Sequence, residues 1–325
     1  MKTKDRILFF LEKNKGHYVS GSKLAESLGI SRNAVWKNIK QLESDGYCIE
    51  AKTNLGYRLV ETSDKLTLSA IKSGLENTYQ KLPVHVFDSI DSTNRYAKEL
   101  ANNQITHGTI VVADEQTNGK GRYGKTFESP ASSGMYISFV LDPSLIDLNN
   151  ISLVTLYTAV CVQQTIHEAT GISLSIKWVN DLYYHDKKVC GILTEAITNV
   201  ENSEVKSLVV GIGLNISTVH HNFSTEVRKI ASSLFEKSGQ TINRNELTTL
   251  FINNFLAGLS SIDEDRLIKL YDSFLMWKNE KVNVIRGNQV SSGIVRGIAT
   301  NGNLVLEDSV GEIHTFNSGE IQIKK

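Results

Sequence analysis

Residues 119–126 read GKGRYGKT, a string that satisfies G-x-x-x-x-G-K-[ST] letter for letter. Whether it is a P-loop decides what kind of sheet the body of the chain carries. A P-loop leaves a strand at once, cradles phosphates on backbone N–H groups and opens a helix. Upstream, the strand-like run TIVVA ends at Ala113 and the polar residues DEQTN intervene. Downstream, TFESPASSG carries Pro130, two adjacent serines and Gly134, so no useful helix can begin at Lys125. The Walker-B-like run YISFVLD ends at Asp142, but only about nine residues separate it from Thr126, too few for a βαβ crossover. The string therefore reads as a cationic flap between two strands. Its three glycines with Lys120, Arg122 and Lys125 suit an anion such as phosphate or carboxylate. On the string alone, a plain solvated loop remains the alternative.

The stretches around the flap add to this. DSTN at 91–94 puts Ser92, Thr93 and Asn94 at a helix start, where they can hold an uncharged polar head group, with Asp91 or Ser92 as a plain N-cap the alternative or companion reading. SLSIKWVNDLYY at 173–184 alternates Leu174, Ile176 and Trp178, then breaks at Asn180-Asp181; an HDKK turn and a return strand, VCGILTEA, follow. SLVVGIGLNIS at 207–217 is a strand with Gly211 and Gly213 inside it, and glycine there implies that something lies close against the backbone. From about 276 to the end, short alternating runs between Gly/Asn turns predict a small β-barrel.

At 325 residues, two or three domains are expected. A hydrophobic fraction of 40% against 22% charged residues predicts a soluble globular protein. Cys48, Cys161 and Cys190 form no CxxC pair, which argues against a disulfide framework or Cys-rich zinc site and fits a reducing, cytoplasmic setting. The start, MKTKDRILFF, is too short in apolar residues for a secretory signal, and no stretch reaches the length of a membrane span. His220 and His221 lack a third ligand at metal spacing and read as surface residues.

Zero net charge hides an asymmetry: residues 1–60 hold eleven Lys and Arg against six Asp and Glu, a net +5 balanced by −5 in the remainder. A basic segment on an acidic body points to a polyanionic partner for that segment. Ile7, Leu8 and Leu11 recur at helical spacing; a second helix follows Ser20 and ends at Gly29; Ser31 caps a third, with Val35, Ile39 and Leu42 on one face. YCIEAK and GYRLV then form a hairpin around Thr53-Asn54-Leu55. This resembles the winged helix-turn-helix, a three-helix protein-interaction module being the alternative. Arg32, Asn33, Trp36, Lys37 and Lys40 share the opposite face, and the resemblance implies that Arg32 and Asn33 reach base edges and Lys37 the phosphates, while the wing at 52–58, with Lys52 and Arg58, adds backbone contacts. Trp36, also on that face and counted with the DNA-binding residues, is expected to pack partly under the recognition helix rather than to intercalate. ETSDKLTLS at 61–69 reads as a polar linker.

Taken in order, DSTN, EQTNGKGRYGK, KWVNDLYYHDKKVCGIL and VVGIGLNIS resemble the biotin–protein ligase family, and with the winged helix the bifunctional form that is also the biotin operon repressor. Departures are Val179 where the family usually has Pro, and Lys120 and Lys324 where it usually has Arg. The resemblance implies an α+β chain: a winged helix-turn-helix at 1–63, a mixed α/β catalytic domain of the biotin/lipoate ligase type at 64–275, and an SH3-like barrel at 276–325. It implies that biotin and ATP form biotinyl-5'-AMP with Mg2+ on the pyrophosphate and no tight protein ligands for the metal. The biotinyl group then passes to a lysine of a biotin carboxyl carrier protein.

By the same resemblance Ser92, Thr93, Gln116, Gly211 and Gly213 hold the biotin ring, while Gly119, Lys120, Gly121 and Arg122 fold over its carboxylate opposite Lys188. Lys120, Arg122, Asn180, Lys188, Asn215 and Lys324 serve the adenylate. Arg122 and Lys188 are catalytic by charge, and Asp181 orients or deprotonates the incoming lysine. Trp178 is expected mostly in the core and Glu320 in support of the site. Biotinyl-5'-AMP is also the expected corepressor, driving a homodimer onto a two-fold operator DNA. A lipoate–protein ligase-like enzyme, a biotin-sensing transcription factor without ligase activity and a P-loop ATPase stay open as alternatives.

Overall fold

The computed structural model describes residues 2–60, 64–103, 107–146, 152–198, 204–236 and 242–323. The chain divides into two compact units, residues 1–86 with 242–253, and residues 87–241 with 254–325.

In the first unit, α1 (Thr3–Lys13), α2 (Gly21–Leu28) and α3 (Arg32–Ser44) enclose Ile7, Leu11, Leu24, Val35, Ile39 and Leu42, all but fully buried. The expected punctuation is in place. Ser20 Oγ accepts from Lys23 N–H and Ser31 Oγ from Ala34 N–H, each at 3.1 Å, while Gly29 ends α2 at φ 65°. β1 (Ile49–Lys52) and β2 (Gly56–Leu59) form the antiparallel wing. The strip expected as a linker is fastened where it is described, from Asp64 onward. Arg244, its side chain 3% exposed, donates from its backbone N–H and from Nε to the two Asp64 carboxylate oxygens at 2.6 Å each. Asn245 Nδ2 donates to Lys65 O at 2.9 Å. Thr67 then caps α4 (Leu68–Gly74), which packs on α1.

The second unit is built on a seven-stranded sheet in the order β3-β4-β5-β9-β8-β7-β6. Its strands are β3 (Val84–Ile90), β4 (Thr109–Gln116), β5 (Gly134–Leu141), β6 (Ser175–Lys177), β7 (Asp181–Tyr184), β8 (Lys187–Thr198) and β9 (Val205–Asn215). β5 is buried along its whole length, as suits a near-continuous apolar run broken by Ser138. Val140 faces Ala97 and Ala101 of α5 (Thr93–Asn103). Its neighbour Phe139 points to the other face, where Phe255 stands between it and Tyr157 of α6 (Leu153–Thr170). After the short α7 (Thr225–Arg228), α8 (Arg244–Leu259) brings Phe255 to the same place, 4.4 Å from the Phe139 ring.

β4 and β5 are antiparallel neighbours, and no helix follows Lys125, so the P-loop reading is excluded. β4 continues three residues beyond the expected Ala113, because Gln116 N–H finds Ser129 O at 3.0 Å and the polar residues ride the open end of the sheet. Between them the flap folds back on itself, with Gly121 N–H donating to Lys125 O at 2.7 Å around a single 3-10 turn, Arg122–Gly124.

After α9 (Glu264–Ser273), β10 (Lys281–Arg286), β11 (Gln289–Ile298), β12 (Leu304–Glu307), β13 (Ile313–Phe316) and β14 (Glu320–Ile323) make the small β domain expected as a barrel, here a five-stranded antiparallel sheet in the order β13-β12-β11-β10-β14. The architecture is α+β, a winged helix-turn-helix followed by a catalytic-type sheet and a small β domain. Among the described residues no helix is long and apolar enough to cross a membrane.

Candidate active site

Where β4 ends beside the start of α5, a buried polar network forms. Ser92, 1% exposed, caps the helix through Arg95 N–H at 3.4 Å. Thr93 donates from both N and Oγ1 to Gln116 Oε1, at 2.9 and 3.0 Å, and Gln116 Nε2 donates to Ser129 Oγ at 2.9 Å. Behind them Ser138 Oγ donates to Asn94 Oδ1 at 2.7 Å, and Asn94 Nδ2 donates to Leu193 O at 3.2 Å and Glu195 Oε2 at 2.9 Å. Such a network, satisfied at each step, fixes its members in one arrangement.

The two strand glycines admit protein groups. A Cβ on Gly211 would stand 1.8 Å from Asn94 Oδ1, and one on Gly213 would stand 2.5 Å from the Phe127 ring. The space expected for a ligand against β9 is thus taken by Asn94 and Phe127, which wall the cleft themselves. Gly119 lies outside the cleft lining; a Cβ there would be 2.3 Å from Phe127 O. Ser92, Thr93, Gln116, Lys120, Gly121, Arg122, Asn180, Lys188, Gly211 and Gly213 all line this narrow cleft of about 40 Å3.

A second cavity, about 230 Å3, shares Gly121, Arg122, Phe127, Asn180 and Lys188 with the first and adds Lys125, Lys177, Trp178, Asp181 and Glu320. Arg122 Nη1 donates to Asn180 Oδ1 at 3.0 Å. Asn180 is fixed in turn by Nδ2 donating to Ile192 O and by accepting Ile192 N–H, both at 2.9 Å. Lys188 Nζ pairs with Asp181 Oδ1 at 2.8 Å, and Lys125 Nζ with Glu320 Oε2 at 2.9 Å. The Lys125 hydrogen bond holds the Glu320 carboxyl below its usual range against a smaller opposing effect of burial. Trp178 is a core residue, 3% exposed, and donates from Nε1 to Gly302 O at 3.1 Å. The Trp178–Val179 bond is cis, and Val179 O accepts from the Tyr271 hydroxyl at 3.1 Å.

Asn215 lines neither cavity. It sits buried at the end of β9, its Nδ2 donating to Ser232 O at 3.1 Å while its Oδ1 has no partner among the described residues. Lys324 lies outside the described residues. His220 and His221 are exposed.

In the first unit Arg32, Asn33, Trp36 and Lys37 are exposed along α3. Arg32, Trp36, Lys40 and Lys52 line one groove between helix and wing, about 580 Å3. Trp36 is 53% exposed, on the outward face where helix spacing puts it. The helix turns Val35 and Ile39 inward, and that leaves position 36 outside. Lys40 is paired with Glu43 at 2.7 Å; Arg58 is drawn to Glu50, its cross-strand neighbour, at 2.5 Å and stacks 4.8 Å from the Tyr18 ring.

Sequence reading passed over Phe127, Ser129, Ser138, Glu195 and Lys177. Only Lys177 left a usable trace: it stands opposite Asp181 across the Trp178–Asn180 turn, on the same side of the sheet.

The chain matches three families in succession: an HTH domain over residues 3–58, the Biotin/lipoate A/B protein ligase family over 86–215, and the Biotin protein ligase C terminal domain over 279–324. The bifunctional ligase/repressor BirA of Bacillus subtilis (strain 168) is 40% identical over 241 residues, covering 74% of this chain and 73% of that one. The protein of the same description from Escherichia coli (strain K12) is 28% identical over 321 residues, covering 95% and 94%. Among solved structures, the biotin protein ligase from Aquifex aeolicus in complex with biotin and ATP superposes with a TM-score of 0.63 at 27% identity, over 75% of this chain and 99% of that one. The chain belongs to the biotin–protein ligase family, in the bifunctional form that joins the ligase to a DNA-binding repressor domain.

Proposed function

We propose that the two cavities are the two ends of one acyl-adenylate site. Biotin lies in the cleft, its neutral ureido ring among Ser92, Thr93 and Gln116, and its carboxylate directed to Arg122 and Lys188. ATP lies in the second cavity, with its α-phosphate at the same two cations. The observation that carries this reading is the sharing of Arg122, Asn180 and Lys188 by both cavities, since a carboxylate and a phosphate that repel one another must meet at that place. A biotin carboxylate oxygen attacks the α-phosphorus, and the bond to the bridging oxygen breaks as pyrophosphate leaves. Positioning and positive charge supply the catalysis. At about 40 Å3 the cleft is far below the hundreds of Å3 usual for a ligand site. Biotin is admitted when Phe127 and the glycine-bearing flap swing outward, and their return keeps water from the mixed anhydride.

Asp181 and Glu320 are the carboxylates lining the second cavity, and each is engaged by a lysine. This donor set offers no cage for Mg2+ and suits a metal that arrives on the phosphates, where it supplies charge neutralisation. In the transfer step the carrier lysine attacks the acyl carbon, AMP leaves, and Asp181, released by Lys188, orients the amine and takes its proton. The lysine belongs to a biotin carboxyl carrier protein. With biotinyl-5'-AMP bound, the chain forms a homodimer that places two α3 helices on a two-fold operator.

Biotin-dependent exchange of labelled pyrophosphate into ATP tests the ligase reading. Exchange is expected with biotin and absent with lipoate; exchange driven by lipoate alone, or ATP hydrolysis without biotin, overturns it.

A further inference from the structure

Two cations of the second cavity, Lys125 and Lys177, have no part in the reaction as described, and Lys125 is taken up by Glu320. Lys177 closes β6 directly opposite Asp181, yet Asp181 is held by Lys188 and Glu320 by Lys125. The Lys177 ammonium instead faces aromatic rings, 5.4 Å from the Trp277 centroid and 5.7 Å from that of Tyr183. Burial pushes its pKa down, against the smaller opposing pull of Asp181 and Glu320. Two rings steady an ammonium without neutralising it, so its charge stays available to the cavity.

The cavity lining carries four cations, Arg122, Lys125, Lys177 and Lys188, against two carboxylates, Asp181 and Glu320. Arg122 and Lys188 also line the biotin cleft, whereas Lys125 and Lys177 belong to the second cavity alone. The excess charge beyond the reacting phosphate therefore lies where the outer phosphates of a nucleotide would extend.

We propose that Lys177 is a binding residue for the β- and γ-phosphates of ATP, gripping pyrophosphate as it departs. This rests on the ligase reading. When the bond between the α-phosphorus and the bridging oxygen breaks, the electron pair stays on that oxygen. The Lys177 ammonium answers the added negative charge by hydrogen bonding and remains protonated throughout. The competing role, service to the incoming carrier lysine, is disfavoured because an excess of positive charge repels an ammonium.

The test uses the full chain with Lys177→Met, which keeps the apolar stem and drops the charge, and Lys177→Arg, which restores it. Biotin-dependent exchange gives KM values for ATP and pyrophosphate, and single-turnover transfer from supplied biotinyl-5'-AMP to a carrier domain isolates the second step. For Lys177→Met, KM for ATP and for pyrophosphate is expected to rise about tenfold or more while KM for biotin shifts less than about twofold. Transfer from supplied adenylate should slow less than about twofold, and Lys177→Arg should recover most of the loss. Unchanged ATP and pyrophosphate KM values overturn the proposal. Equal slowing of transfer overturns it in favour of the amine role, and a uniform loss in both variants overturns it in favour of a packing role. Absence of exchange in the wild type would defeat the ligase reading itself, a different result from a wild type that exchanges beside an indifferent variant.

Discussion

Gly211→Ala is the sharpest test of how the site is built. The new Cβ would stand 1.8 Å from Asn94 Oδ1 and 2.6 Å from its Cγ, so the amide must leave. Asn94 then loses bonds to Ser138 and Leu193, about 0.5–1.5 kcal/mol each, and a charged bond to Glu195, about 1.5–3 kcal/mol. Partial rebuilding after displacement brings the loss to about 3–4 kcal/mol, and the better strand former returns roughly 0.5–1 kcal/mol. The net cost is then about 2–3 kcal/mol, or roughly 5–10 °C in Tm for a domain of this size. Urea unfolding of Gly211→Ala, Asn94→Ala and the double variant measures it. With Asn94 shortened the added methyl has nothing to strike, so Gly211→Ala should be neutral or mildly stabilising on that background. Equal cost on both backgrounds would refute the argument. So would a stable Gly211→Ala that has lost only biotin affinity, since the glycine would then serve the ligand directly.

Arg122→Gly removes both the latch to Asn180 and the charge at the reacting atoms. It should release biotinyl-5'-AMP and label lysines of bystander proteins, seen by streptavidin blotting; selective carrier labelling would contradict this. Asp181→Asn should slow single-turnover transfer to the carrier about tenfold more than adenylate synthesis, and equal slowing would remove its transfer role. On duplexes selected by the wild type from a random library, Lys37→Ala should lower the salt slope of binding by about one. Arg32→Ala should cost about 1–3 kcal/mol and relax base preference at one position; a uniform loss across sequences would move Arg32 to the phosphates.

Local pattern carried the helices of the first unit, the flap and the small C-terminal sheet, because caps, glycines and alternation act within a few residues. The flap was legible as something other than a P-loop because Pro130 and the short distance to β5 forbid a helix. What lay beyond reach was pairing at a distance. Two glycines in β9 announced a close approach, but Asn94 and Phe127 as the approaching groups depend on how α5 and the flap meet the sheet. Helix phase, set by Val35 and Ile39, put Trp36 on the outward face, whereas how far its ring packs there is decided by tertiary neighbours that local spacing does not reveal. Asp64 looked like part of a loose polar strip because its partner, Arg244, is remote in sequence.

That last pairing bears on how the chain can be cut. Stopping after residue 63 would strip α1 of α4, on which it packs and whose Ser69 hydroxyl donates to Asp5 O, and any front fragment that ends before residue 244 would leave Asp64 without Arg244. A separately expressed DNA reader would have to carry both stretches, so the gene holds this module as an interrupted text, one passage at the front and another far downstream. Shortening the protein to a plain enzyme by trimming its front would therefore also damage what the later passage was written to hold.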